Sequence, residues 1–155
     1  RPTEFLQSFS VGTIRVTPVP VEHSIETQGF LFEADGKKAA VLTDCRANVP
    51  EATQTAIRGV DVLFTDGWME DVQQLKAVYR SFRPDLSEAQ LDDVVREKKR
   101  NHLLIPEAND LAERVAAKKT VLLHVAHAAS GHEALVKRWG SERLTVGFDD
   151  QVFSI

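Results

Sequence analysis

The chain has 155 residues, 43% apolar and 27% charged, which predicts one globular domain with a real hydrophobic core. Its net charge of −4 argues against general binding to nucleic acid, and no apolar run reaches the ~20 residues of a membrane helix. The single cysteine, Cys45, excludes an internal disulfide framework and fits a reducing, cytoplasmic setting.

The first ten residues read as a mixed leader. In "VGTIRVTPVPVEH" a strand is expected over 13–18, ending in an extended turn, because proline cannot donate to a central ladder. His23 follows that strand end. "QGFLFEADGKKAAVLTD" reads as a hairpin: Phe30, Leu31 and Phe32 form one strand, Asp35-Gly36 the turn, and 39–43 the return strand. The return strand is short, apolar and buried in pattern, and it runs straight into Asp44. A carboxylate at the end of a buried strand must pair with a cation or a metal, unless it simply caps the next turn.

Pro50 and Gly59 bracket a short helix over 50–57. "VDVLFTD" is a second buried strand ending on an acid, Asp66. Val72, Leu75, Val78, Tyr79 and Phe82 recur at helical spacing. Ser87 with Gln90 is a capping-box pattern that opens a helix over 88–99, and "REKKR" ends it with positive charge. Pro106 starts another helix, with Leu111, Val115 and Ala116 on one face. "TVLLHVAH" is a third buried strand ending on His124, "HEALVKRWG" a helix stopped by Gly140, and "RLTVGFDDQVFSI" a closing hairpin around Asp149-Asp150. Strands alternating with helices between terminal hairpins predict an α/β fold with a mixed sheet.

His23, Asp44, Asp66 and His124 therefore stand at strand ends, with His102 at a helix start. Imidazoles with carboxylates are the donors expected for zinc, manganese or iron. No pair is close in sequence, so local spacing defines no site. Each also has a plain structural reading: a turn histidine for His23, a helix-start residue for His102, a satisfied core histidine for His124. Their shared position at strand ends favours a joint site. His127, three residues past His124, reads as a rim residue.

With these residues in place, "VPVEHSIETQGFLFEADGKKAAVLTDC" resembles the second half of a metallo-β-lactamase-fold phosphodiesterase, of the tRNase Z-like and phosphonate-pathway cyclic-phosphate phosphodiesterase group. His23 matches the "P-[LV]-x-H" histidine, Gly29-Phe30 the "G-[FY]" pair, and Thr43-Asp44-Cys45 the "[SG]-D-T" aspartate. "VDVLFTD" is similar to the strand leading to the family's "H-E-A-T" or "D-C-S-H" acid. "RNH" resembles its next histidine, and "TVLLHVAH" is similar to "v-i-L-T-H-I-S-H". The resemblance runs from about Thr17 to Ile155. It implies an αβ/βα sandwich of which this chain supplies about the second half, and a two-metal hydrolase using zinc or manganese. In that scheme Asp44 bridges the metals, and His23 and His124 each bind one. The metals activate a bridging water, as two-metal sites do. His102 protonates the leaving group, Asp66 orients His102, and His127 meets substrate.

Three features depart from the family pattern. The H-x-H-x-D-H motif that supplies most of the metal ligands is absent, so the other half is expected upstream or on a partner chain, a homodimer included. Residues 69–100 read as a helical insertion, either a solvated helical hairpin or a cover over the substrate whose basic end meets phosphate. Cys45 replaces the usual threonine and Asp150 the usual glycine. The expected substrate is a small cyclic or nucleotide-like phosphodiester rather than tRNA, since the chain is acidic and lacks a basic arm. An acyl hydrolase of lactones or thioesters is the alternative, with His102 as the discriminating residue. A non-catalytic half-domain is a third reading, and the presence of all five site residues argues against it.

Overall fold

The computed structural model describes residues 4–155; residues 1–3 of the predicted leader lie outside it. Seven strands form one mixed sheet whose spatial order is the chain order. They are β1 (Phe9–Val11), β2 (Ile14–Pro20), β3 (Gln28–Ala34), β4 (Lys37–Leu42), β5 (Val62–Asp66), β6 (Lys119–Leu123) and β7 (Leu144–Val146). Pairing is antiparallel from β1 to β4 and parallel from β4 to β7. It follows that β2, β4, β5, β6 and β7 run one way and end along one edge. That edge carries the predicted site residues.

Helices fill the connections: α1 (Glu51–Ala56), α2 (Val72–Phe82), α3 (Glu88–Lys98), α4 (Ile105–Arg114) and α5 (His132–Trp139). The Asp35-Gly36 turn has φ of 50° and 74°, the two positive angles a type I′ hairpin needs. Ser87 and Gln90 close the expected capping box on α3. β2 runs further than expected, through both prolines. Leu6 N–H bonds the Pro18 carbonyl from the β1 side, so the donor that Pro18 lacks also faces that side, beyond the end of short β1. The expected closing hairpin is not formed. β7 has no return strand; Val152 is 89% exposed, and Phe153 instead folds its ring onto Phe64 at 5.5 Å.

The two sheet faces differ. On one, the row Leu31, Ala40, Leu63, Thr120 and Leu144 is buried beneath Ile57, Leu111 of α4 and Leu135 of α5. Leu42, Leu63 and Leu122 have no exposed surface there, and burial of each contributes about 1.5–3 kcal/mol. The opposite face carries Phe30, Val41 and Phe64 in one row, all only partly buried and outside both buried clusters. A second small core, Met69, Leu75, Val95 and Leu104, joins α2 and α3 to the start of α4. Lys76 bridges α2 to Asp92 of α3 at 2.5 Å. Among the described residues no helix is long and apolar enough to cross a membrane.

Candidate metal centre

Four of the site residues are delivered by the end of a strand or the loop after it, and His102 by the connection between α3 and α4. Asp66 is the last residue of β5 and is fully buried. His124 follows β6 directly, and Asp44 lies two residues past β4. Both have φ of 53°, in the left-handed region that non-glycine residues rarely adopt. Such a backbone costs about 1–3 kcal/mol and persists only where neighbours impose it. Here they do. The Asp44 N–H donates to Asp66 Oδ1 at 3.1 Å, and Cys45 N–H to Oδ2 at 3.4 Å. On either side of His124, Gly67 N–H bonds the Leu123 carbonyl and Ala126 N–H the Trp68 carbonyl, each at 2.9 Å. The left-handed turn throws each side chain over the sheet edge rather than along the strand.

The side chains converge. Asp44 Oδ1 lies 3.3 Å from His124 Nδ1, 3.5 Å from His102 Nδ1 and 4.0 Å from His23 Nε2. Behind it, Asp66 reaches His124 Nδ1 and His102 Nδ1, each at 3.3 Å. One ligand atom from each of Asp44, Asp66, His102 and His124 falls within 4.8 Å of the others. Two carboxylates and two imidazoles at that separation fit a borderline divalent cation such as zinc, manganese or iron. His23 stands just outside this cluster and approaches through Asp44. The structure thus brings together the four residues singled out at the strand ends and His102, which comes from the connection between α3 and α4. It adds that Asp66 contacts two histidines rather than His102 alone.

Several supporting residues had no sequence signal. The Trp68 indole stacks on His102, with ring centres 5.1 Å apart and planes 25° apart, and fixes the imidazole plane. Arg46 donates to the Arg100 carbonyl at 2.5 Å and to the His23 carbonyl at 3.4 Å, so one guanidinium joins the loops carrying His23 and His102. Glu70 is 2% exposed and gathers Arg138 at 2.7 Å, Gln74 at 2.8 Å, Trp139 at 3.3 Å and the Ser130 hydroxyl. Burial would push its carboxyl up, but these donors outweigh burial and hold it below the usual range. Glu70 thereby ties the start of α2 to α5 and to the loop that follows His124. Cys45 is fully buried, and that burial, aided by the Asp66 charge, pushes its thiol up.

A cleft of about 430 Å³ opens beside His124, between the β6–α5 loop and the segment after β7. His127 is exposed on its rim, and His132 and Phe148 line its wall. Of the histidines at positions 124 and 127, His124 meets the carboxylates and also borders the cleft, while His127 borders the cleft alone.

A sequence description of the Beta-lactamase superfamily domain matches residues 1–125. A search of curated proteins gives no match. Among solved structures, the chain is similar to a diphosphatase of the PhnP family, at 22% identity and a TM-score of 0.65, over 94% of this chain and 45% of that one. It is similar to the short form of human tRNase Z at 22% identity and a TM-score of 0.65, over 95% and 44% of the two chains. Zinc-bound PqqB from Methylobacterium extorquens shares 17% identity with a TM-score of 0.69, over 99% and 55%. The chain spans about half the length of these structures. With the family description covering most of its residues, and with a mixed sheet flanked by helices that ends in a carboxylate–imidazole cluster, the chain belongs to the β-lactamase superfamily and has the metallo-β-lactamase fold.

Proposed function

We propose that this chain carries the C-terminal half of the active site of a metal-dependent phosphodiesterase acting on small cyclic or nucleotide-like phosphodiesters. The observation that carries the reading is the convergence of His23, His102 and His124 on one oxygen of Asp44, with buried Asp66 behind two of them. His23, Asp44 and His124 are the residues of this chain that would hold the metal, with Asp44 Oδ1 within 4.0 Å of a ring nitrogen of each histidine. Zinc or manganese bound there supplies Lewis acidity toward a phosphoryl oxygen and activates water. His102 turns Nδ1 toward Asp66 and leaves Nε2 on the outer edge of the ring. With Trp68 fixing its plane, that edge is suited to deliver a proton to the leaving oxygen. Asp66 orients the ring and, through its backbone donors, holds the Asp44 turn.

A catalytic zinc takes about three protein ligands. The remaining donors come, in this reading, from an H-x-H-x-D-H segment in a preceding half or on another chain. The partly bare face around Phe30, Val41 and Phe64 is where that half would pack, sheet on sheet. Similarity to a diphosphatase and to a tRNase supports phosphoester chemistry over acyl chemistry. The test is metal content by elemental analysis with bis(p-nitrophenyl) phosphate turnover on the same sample of intact protein. About two ions per site with turnover is expected. On metal-loaded protein His102→Ala should lose about 10²–10⁴-fold in kcat. Metal-loaded protein that cleaves a lactone or thioester but no phosphodiester would overturn the reading in favour of the acyl hydrolase.

A further inference from the structure

The cleft beside His124 has chemistry that metal binding leaves unused. Its floor is aliphatic, formed by buried Leu135 and Val146. Its wall is aromatic: the Phe148 ring is 59% exposed and meets His132 edge-on, 5.7 Å away and at 81°. The walls are also preset. His132 Nε2 donates to the Val146 carbonyl at 3.0 Å, and Ser130 is held by buried Glu70. Both polar groups are therefore occupied. His127 and Asp149 remain to face a ligand, and neither has a hydrogen bond or ion pair among the described residues.

We propose that this cleft binds a flat, uncharged heteroaromatic ring of nucleobase type, carried as the organic substituent of the substrate. An exposed phenyl face above an aliphatic floor rewards a planar ring by stacking and burial. One or two hydrogen-bonding edges on that ring meet His127 and Asp149. A sugar needs a denser set of polar partners than these two, and an anionic group meets the Asp149 charge. The volume lies at the small end of ligand sites and has room for a ring system. Leu135 and Val146 belong to the helix-covered core, so this chain supplies the floor of the cleft itself. Its position next to His124 puts the ring within reach of a phosphoryl group held at Asp44.

That the ring belongs to a phosphodiester rests on the phosphodiesterase reading; the affinity of the cleft for the ring does not. The first measurement is saturation-transfer NMR with thymidine on the intact protein in EDTA. Thymidine should bind, free ribose should not, and Phe148→Ala should weaken thymidine about tenfold. Phe148→Leu, which keeps the bulk without the ring face, should weaken it similarly and covers the case in which the alanine variant fails to fold. The second measurement compares thymidine 5′-(4-nitrophenyl phosphate) with methyl 4-nitrophenyl phosphate on metal-loaded protein, since both release the same group. The thymidine ester should be favoured about tenfold in kcat/KM, with that ratio falling toward one in the Phe148 variants. No thymidine binding, or binding unaffected by both variants, overturns the proposal. Equal kcat/KM for the two esters overturns the substrate assignment and leaves the phosphodiesterase reading intact. Thymidine binding with neither ester cleaved supports the ring site and overturns the phosphodiesterase reading instead.

Discussion

Replacing Asp66 by asparagine separates what this buried carboxylate does for the fold from what it does for the metal. Asn keeps the shape and one acceptor oxygen. Its amide must then face a backbone N–H, either that of Asp44 at Oδ1 or that of Cys45 at Oδ2. One hydrogen bond to a charged acceptor, worth about 1.5–3 kcal/mol, is lost, and a buried donor is left unpaired. Loss of charge also relieves repulsion from Asp44. That side chain is 44% exposed, though, so water screens the relief and the lost bond wins. The expected cost is about 2–4 kcal/mol, or about 5–15 °C in Tm for a domain of this size. Urea unfolding of the intact protein in EDTA reads this cost without any contribution from metal. Zinc affinity, measured separately by competition with a chromophoric chelator, should fall about 10–100-fold. An Asp66→Asn variant with the wild-type urea midpoint in EDTA would refute the claim that this carboxylate holds the Asp44 turn.

Three further outcomes follow from the same geometry. Arg46→Met should lower zinc affinity about tenfold while costing under about 1 kcal/mol in stability, because a partly exposed guanidinium joins the two histidine loops without supporting the core; a urea curve and a chelator competition on one preparation would check this. Glu70 has its folded pKa lowered, so its stabilisation is present above the ordinary glutamate value of about 4.3 and is lost as pH falls through the folded value. The wild-type melting temperature should therefore drop on acidification below that range, and Glu70→Gln should start lower and show a flatter acid limb. Cys45 should resist a thiol reagent such as DTNB at pH 8 in the native state and react fully in denaturant, since burial keeps the thiol both neutral and inaccessible.

The parts of the site legible in the sequence were those written by short-range rules. Apolar runs ending on Asp44, Asp66 and His124 needed only strand periodicity and an abrupt polar stop. The Asp35-Gly36 turn and the Ser87–Gln90 box needed only local backbone chemistry. Arg46, Trp68 and Glu70 were not legible because their partners are set by tertiary contact: Arg46 bonds a carbonyl 54 residues away, and Glu70 meets Arg138 68 residues away. The C-terminal segment misled for a related reason. Alternating Val152, Phe153 and Ile155 suits a strand, but one ring finds a better contact on Phe64 than a ladder on β7 provides. β2 outran its expected end because a proline's missing donor costs nothing on a side where no strand lies.

The chain-order sheet has a consequence for how such a protein can change. Each strand pairs with its immediate predecessor, so every ligand-bearing loop returns to the sheet before the next begins. The connection between α2 and α3 could be lengthened, shortened or exchanged without rethreading any strand, because Gly67, Trp68 and Glu70 ahead of it and the start of α4 behind it are held by contacts of their own. The arrangement is modular in the sense of a rack with separately mounted tools. The edge keeps the carboxylates and imidazoles in register, while each intervening loop is free to be redrawn for a different molecule at the rim.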